Sequence, residues 1–142
     1  MKCIVYQDGY KYQLKKSYIL NIPITPPESI VTEYIQLDNE GNLTIKKGYA
    51  WDGPSGPTID TKTFMRGSLI HDALYQLMRE NHLDHKKYRD QADRILQKIC
   101  KEDGMWSFRA WYVYHGVRLF SDPAADPAAK KPTILAPDGC EQ

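Results

Sequence analysis

A ten-residue stretch, Gly48-Tyr49-Ala50-Trp51-Asp52-Gly53-Pro54-Ser55-Gly56-Pro57, divides this sequence into two unlike halves. Three glycines and two prolines in ten positions cannot propagate a helix or a central strand, so its shape is set residue by residue through permitted φ angles. Residues before the stretch are patterned for strands, and residues after it for helices. A chain of this kind has to join two sorts of layer through that loop.

Upstream, Ile4-Val5-Tyr6 and Tyr10-Lys11-Tyr12-Gln13-Leu14 flank Asp8-Gly9, a dipeptide suited to a tight hairpin. Ser17 to Ile24 is a further extended segment, ended by Pro26-Pro27. Tyr34-Ile35-Gln36-Leu37 and Asn42-Leu43-Thr44-Ile45 enclose Asp38-Asn39-Glu40-Gly41, a second hairpin. Downstream, Phe64, Leu69-Ile70, Ala73-Leu74 and Leu77-Met78 recur at helical spacing, with Thr61 or Thr63 as N-cap. Tyr88, Ala92, Ile95-Leu96 and Ile99 predict a second helix that stops at Asp103-Gly104. Trp106 to Phe120 predicts a third. The expected class is therefore α+β: a small N-terminal antiparallel β-meander within 1–47, a glycine-rich loop, and three helices within about 62–121. Residues 1–121 read as one globular domain, and the Asp-Pro-Ala-containing stretch 122–142 as a flexible C-terminal tail.

Charge narrows the partners. Nineteen basic against eighteen acidic residues leave a net charge of +1, too little for a broad cationic field. A long nucleic-acid duplex and an anionic membrane are thus poor partners, whereas a small anionic ligand needs only one or two local cations. Self-association is compatible with the composition. Cys3, Cys100 and Cys140 form no CxxC pair, so neither a structural zinc site nor a disulfide framework is expected. With no signal-like apolar run at the start, the expected location is the cytoplasm.

The residues suited to chemistry gather around His71-Asp72. In a helix Gly67, His71 and Tyr75 form one line, and Ser68, Asp72 and Gln76 the next. Two adjacent polar residues cannot both avoid a stripe containing Leu69, Ile70, Ala73 and Leu74, so at least one borders the core. A carboxylate placed there needs a partner. Asp52, Arg66, Arg89, Asp90 and Asp93 are the candidates. On the second helix, Arg89, Asp90, Asp93 and Arg94 either form a solvated lattice of i,i+4 pairs or turn Asp93 inward to His71. The catalytic candidates are therefore His71, Asp72, Asp52 and Asp93, and Asp52, His71 and Asp93 are the candidate ligands of a divalent ion such as magnesium or manganese.

The glycine-rich loop also has the logic of an anion cradle, since exposed N–H groups lead into a helix start with Lys62 and Arg66 beside it. It matches neither Gly-Lys-Ser/Thr nor GxGxxG. Its alternative role is a rigid turn that packs Trp51 on the helices. Ser55 belongs to the cradle but not to a Gly-x-Ser-x-Gly elbow, so it is a binding rather than a nucleophilic residue. Trp51 and Tyr75 are rings that could stack on a base. The substrate-binding set is then Arg66, Lys62, Trp51, Ser55 and Tyr75. His82 and His85 read as solvated loop residues, and His115 as structural.

Gly48-Tyr49-Ala50-Trp51-Asp52-Gly53-Pro54-Ser55, Arg66-Gly67-Ser68-Leu69-Ile70-His71-Asp72-Ala73-Leu74-Tyr75, Arg89-Asp90-Gln91-Ala92-Asp93 and Tyr114-His115-Gly116-Val117-Arg118-Leu119-Phe120 together resemble an uncharacterised family of phages and prophages, a domain of unknown function. The resemblance spans roughly residues 40–120. It singles out Asp52, His71, Asp72 and Asp93, implies a role in the host cytoplasm or the virion, and says little about reaction type.

Two functions are expected. One is a phage-encoded hydrolase, a phosphodiesterase acting on a cyclic or linear nucleotide that serves the host as an alarm signal. The other is a non-catalytic binder, either a nucleotide sponge or a virion component. An open cleft holding His71, Asp52 and Asp93 together favours the first. An enclosed, fully satisfied His71 favours the second.

Overall fold

The computed structural model describes residues 4–6, 12–51, 62–105, 114 and 134–136. Its strands are β1 (Ile4–Tyr6), β2 (Tyr12–Gln13), β3 (Tyr18–Asn21), β4 (Ile30–Val31), β5 (Ile35–Leu37), β6 (Asn42–Ile45), β7 (Ala50–Trp51) and β8 (Ile134–Ala136). Its helices are α1 (Lys62–Arg79) and α2 (His85–Glu102). The fold is α+β with antiparallel sheets, but the described residues hold two helices rather than the three expected. Of the segment expected as a third helix, all but Tyr114 lies outside the described residues.

The hairpin around Asp38–Gly41 forms as its sequence requires. Asp38 accepts hydrogen bonds from the backbone N–H of Glu40 and Asn42 at 2.9 Å each, closing the turn on its own side chain. Gly41 sits at φ +86°, and a Cβ there would stand 2.2 Å from the carbonyl oxygen of Ile22. Glycine is required on both counts. β5 and β6 then pair, and the sheet widens to the order β3-β6-β5-β4, antiparallel throughout. Alternation sends Ile35, Leu37, Leu43 and Ile45 to one face, where all four are fully buried.

The expected turn at Asp8-Gly9 lies outside the described residues. β1 pairs with β8 from the far end of the chain, and β2 pairs with β7. Strands are therefore not confined to residues 1–47, and residues 134–136 of the expected tail form one. In the β2–β7 pair Tyr12 lies opposite Trp51, and their rings are 5.7 Å apart. Tyr49 stacks on Trp51 at 6.3 Å. An aromatic pair is worth about 0.5–1.5 kcal/mol beyond its area.

The helices are antiparallel. The turn between them uses Asn81 at φ 63° and the N-cap Asp84, whose side chain accepts from the N–H of Lys86. α2 ends at Asp103, followed by Gly104 at φ +96°. Ile70, Ala73, Leu74, Leu77 and Met78 of α1 and Ala92, Ile95 and Ile99 of α2 join the inner sheet residues, Tyr49 and Trp51 in a single buried cluster. Among the described residues no helix is long and apolar enough to cross a membrane.

Gly41→Ala is expected to lower stability by more than about 1 kcal/mol, because it adds both a left-handed φ penalty and a backbone clash. Chemical denaturation of the variant and wild type checks this. Equal midpoints would contradict the turn geometry.

Candidate functional site

The line Gly67–His71–Tyr75 on α1 is the seam that faces α2. At one end Gly67 lets the helices approach closely: a Cβ there would meet Leu96 Cδ1 at 2.8 Å and Cys100 Sγ at 3.0 Å. Four and eight residues further along, the seam turns polar. His71 Nε2 lies 2.7 Å from Asp93 Oδ1, and the Tyr75 hydroxyl donates to the same oxygen at 2.6 Å. Asp93 is completely buried, Tyr75 is 2% exposed and His71 7%. The imidazole and phenol rings are 4.0 Å apart, so Tyr75 also covers one face of His71.

Such a carboxylate survives burial only because donors converge on it. An isolated ionised group in a core costs many kcal/mol, and paired donors offset this. The acceptor at Asp93 assigns the Nε2 proton to His71, since a carboxylate needs a donor facing it. In the neutral ring Nδ1 is then a bare acceptor. It faces Asp72 Oδ1 at 3.8 Å, too long for a hydrogen bond but close enough for charge attraction once Nδ1 is protonated. The Asp72 side chain is 29% exposed, so this side of the imidazole is the one nearest solvent. Burial alone pulls the histidine downward in pKa, but the Asp72 and Asp93 carboxylates outweigh it and raise His71 above its usual 6.5. The group can thus carry a proton between two carboxylates, or accept one at Nδ1.

Other expected members stand elsewhere. Arg66, expected to hold a phosphate beside His71, is committed to a clamp: it donates from Nε and Nη2 to Asp103, from Nη2 to Glu102, and from Nη1 to the Tyr18 hydroxyl, all at 2.9–3.2 Å. Bonding to Asp103 and then Tyr18 holds its charge more firmly than in a free arginine. Its place is at the junction of α1, the α2 C-cap and β3. Lys62 opens α1, nine residues before His71. At 1.5 Å per residue the helix start lies about 13 Å along the axis from the imidazole, so an anion held there is out of its reach. The Lys62 side chain, Asp52 and Ser55 lie outside the described residues.

Trp51 is 7% exposed and donates from its indole to Ser68 Oγ at 3.2 Å, a packing role rather than a stacking platform. Tyr75, expected on a base, faces Asp93 instead. Asp90 and Arg94 form the i,i+4 pair expected of a solvated lattice, at 2.8 Å, and Tyr114 donates to Asp90. As candidate metal ligands His71 and Asp93 spend Nε2 and Oδ1 on each other. Among the described residues no group of three His, Cys, Asp or Glu side chains could hold an ion.

Sequence reasoning missed Tyr75 as a partner of Asp93, and missed Ser68, Asp103 and Tyr18. Only Tyr75 had a signal, its i+4 spacing from His71. The partners of Arg66 are 36, 37 and 48 residues distant, with no local trace.

A family model matches residues 29–117, more than half of the chain, and covers β4 to β7 and both helices. The chain belongs to DUF1353, a family of proteins of unknown function. No curated protein and no solved structure matches it.

Because folding raises the His71 pKa, its proton stabilises the native state fully below about pH 6.5, and that stabilisation disappears as pH rises through the folded-state value. The melting temperature of wild type should therefore fall relative to that of His71→Gln between pH 6 and 9. Parallel curves would contradict the ion-pair environment. Asp93→Ala, which leaves His71 and Tyr75 without their acceptor, is expected to destabilise by about 3–5 kcal/mol in denaturant titrations.

Proposed function

We propose that this DUF1353 protein is a phage-encoded hydrolase that cleaves a phosphodiester in a cyclic or linear nucleotide, with His71 as the proton-transfer group. One observation carries the reading: a helix-borne imidazole whose Nε2 is held by a buried carboxylate and whose Nδ1 is turned to the more exposed Asp72. An oriented imidazole with its second nitrogen available is the arrangement that general acid–base catalysis uses. In its neutral form His71 takes a proton from an attacking water at Nδ1. Asp93 stabilises the imidazolium that results, and Asp72 attracts the water's remaining proton. The same imidazolium can then protonate the leaving oxygen.

The phage setting comes from the motif resemblance, and it makes host signalling nucleotides the first substrates to screen. Arg66, engaged with Asp103, Glu102 and Tyr18, is given no part in holding the phosphate in this reading. The enclosure of His71 favours a second reading, a nucleotide-binding sponge in which the same polar seam braces the fold.

Purified protein is incubated with cyclic and linear nucleotides, with and without magnesium or manganese, and products are separated by chromatography. Turnover is expected, and His71→Gln, which keeps an amide donor for Asp93, should lower it by about 10²–10⁴ while melting near wild type. Stoichiometric depletion of a nucleotide that returns intact on heating would establish the sponge. Neither turnover nor depletion with any nucleotide would overturn both.

A further inference from the structure

Tyr75 comes one turn after His71 on the same face of α1, so any group on α2 opposite one of them meets both. That group is Asp93, and both donors fall on its Oδ1, at 2.7 and 2.6 Å. An oxygen with two strong donors cannot give its full negative charge to either. The phenol ring, 4.0 Å from the imidazole, also blocks rotation of His71 toward that side. At 2% exposure Tyr75 itself is closed to any ligand. Its hydroxyl therefore has a defined target and no solvent-facing task.

We propose that Tyr75 is a positioning residue for His71, its hydroxyl fixing the shared oxygen of Asp93 and setting how much of that carboxylate's charge the imidazole receives. The proposal rests on the reading of His71 as the reactive group, but its geometry does not depend on the substrate. Among the described residues the charged groups acting on the imidazole are Asp72 from its own helix and Asp93 from α2. The Tyr75 hydroxyl donates to the second. Asp72 remains the outward partner, so Tyr75 tunes the inner half of the pair and leaves the Nδ1 side as it is.

The test is Tyr75→Phe, which keeps the ring that packs on His71 and removes only the oxygen. Imidazole nitrogen and proton shifts of His71 are followed by NMR from pH 5 to 9 in wild type and variant. Without the competing hydroxyl, Asp93 Oδ1 gives more of its charge to the imidazolium, and the His71 midpoint should rise by about half to one pH unit. In an Asp93→Asn background the same substitution should produce no shift. An unchanged midpoint in a folded Tyr75→Phe protein overturns the proposal, as does a shift that persists without the Asp93 charge. A second readout needs no variant: in wild type the Tyr75 Cζ shift must follow the His71 titration, and a Cζ indifferent to it also overturns the proposal. Where turnover is found, the acid limb of the pH–rate profile should move with the midpoint in Tyr75→Phe. If no nucleotide is hydrolysed by either protein, the hydrolase reading fails, and the titrations still decide the role of Tyr75.

Discussion

The structure depends on one buried carboxylate. Asp93 lies at zero exposure between two helices, and the only way to keep it there is to surround it with donors. His71 and Tyr75 supply them from one face of α1, which fixes the rotation of that helix about its axis and its register against α2. Gly67 completes the constraint two turns away, where the absence of a side chain lets Leu96 and Cys100 close in. A polar contact that is directional and an apolar one that tolerates no added atom leave the pair a single way to dock.

Around this seam the remaining elements act as supports. Arg66 ties the early part of α1 to the end of α2 and to Tyr18 of β3, so the helices and sheet are joined by charge as well as by the apolar cluster. Trp51, in ring contact with Tyr12 and Tyr49, anchors β7 and reaches Ser68, one turn before His71. These contacts turn an expected ligand-binding arginine and an expected stacking tryptophan into parts of the frame. Both residue types suit either role, and only the partners decide.

The chemical character of the site comes from how its polarity is graded. Inward, the imidazole meets a carboxylate that water does not reach. Outward, it meets Asp72, which water does reach. A proton on His71 is therefore bound on one side by a fixed charge in a low-dielectric setting and on the other by a charge that solvent screens.

By itself the sequence determined the local pieces. Asp38 closed a turn on its own side chain, the helical stripes of α1 and α2 recurred at their proper period, and Asp103-Gly104 marked the end of α2 that a left-handed φ dictates. It also placed at least one of His71 and Asp72 at the border of the core, because an apolar stripe on both sides left no room for both to avoid it. Tertiary structure alone decided which strands pair at the chain's beginning, whether Asp93 faces solvent or His71, and what Arg66 holds. Those choices join residues 18 to 132 positions apart, for example Tyr6 with Ile134 and His71 with Asp93. Turn and helix signals act over three or four residues, whereas these pairings are chosen by burial and donor–acceptor matching across the whole chain, which no local pattern encodes.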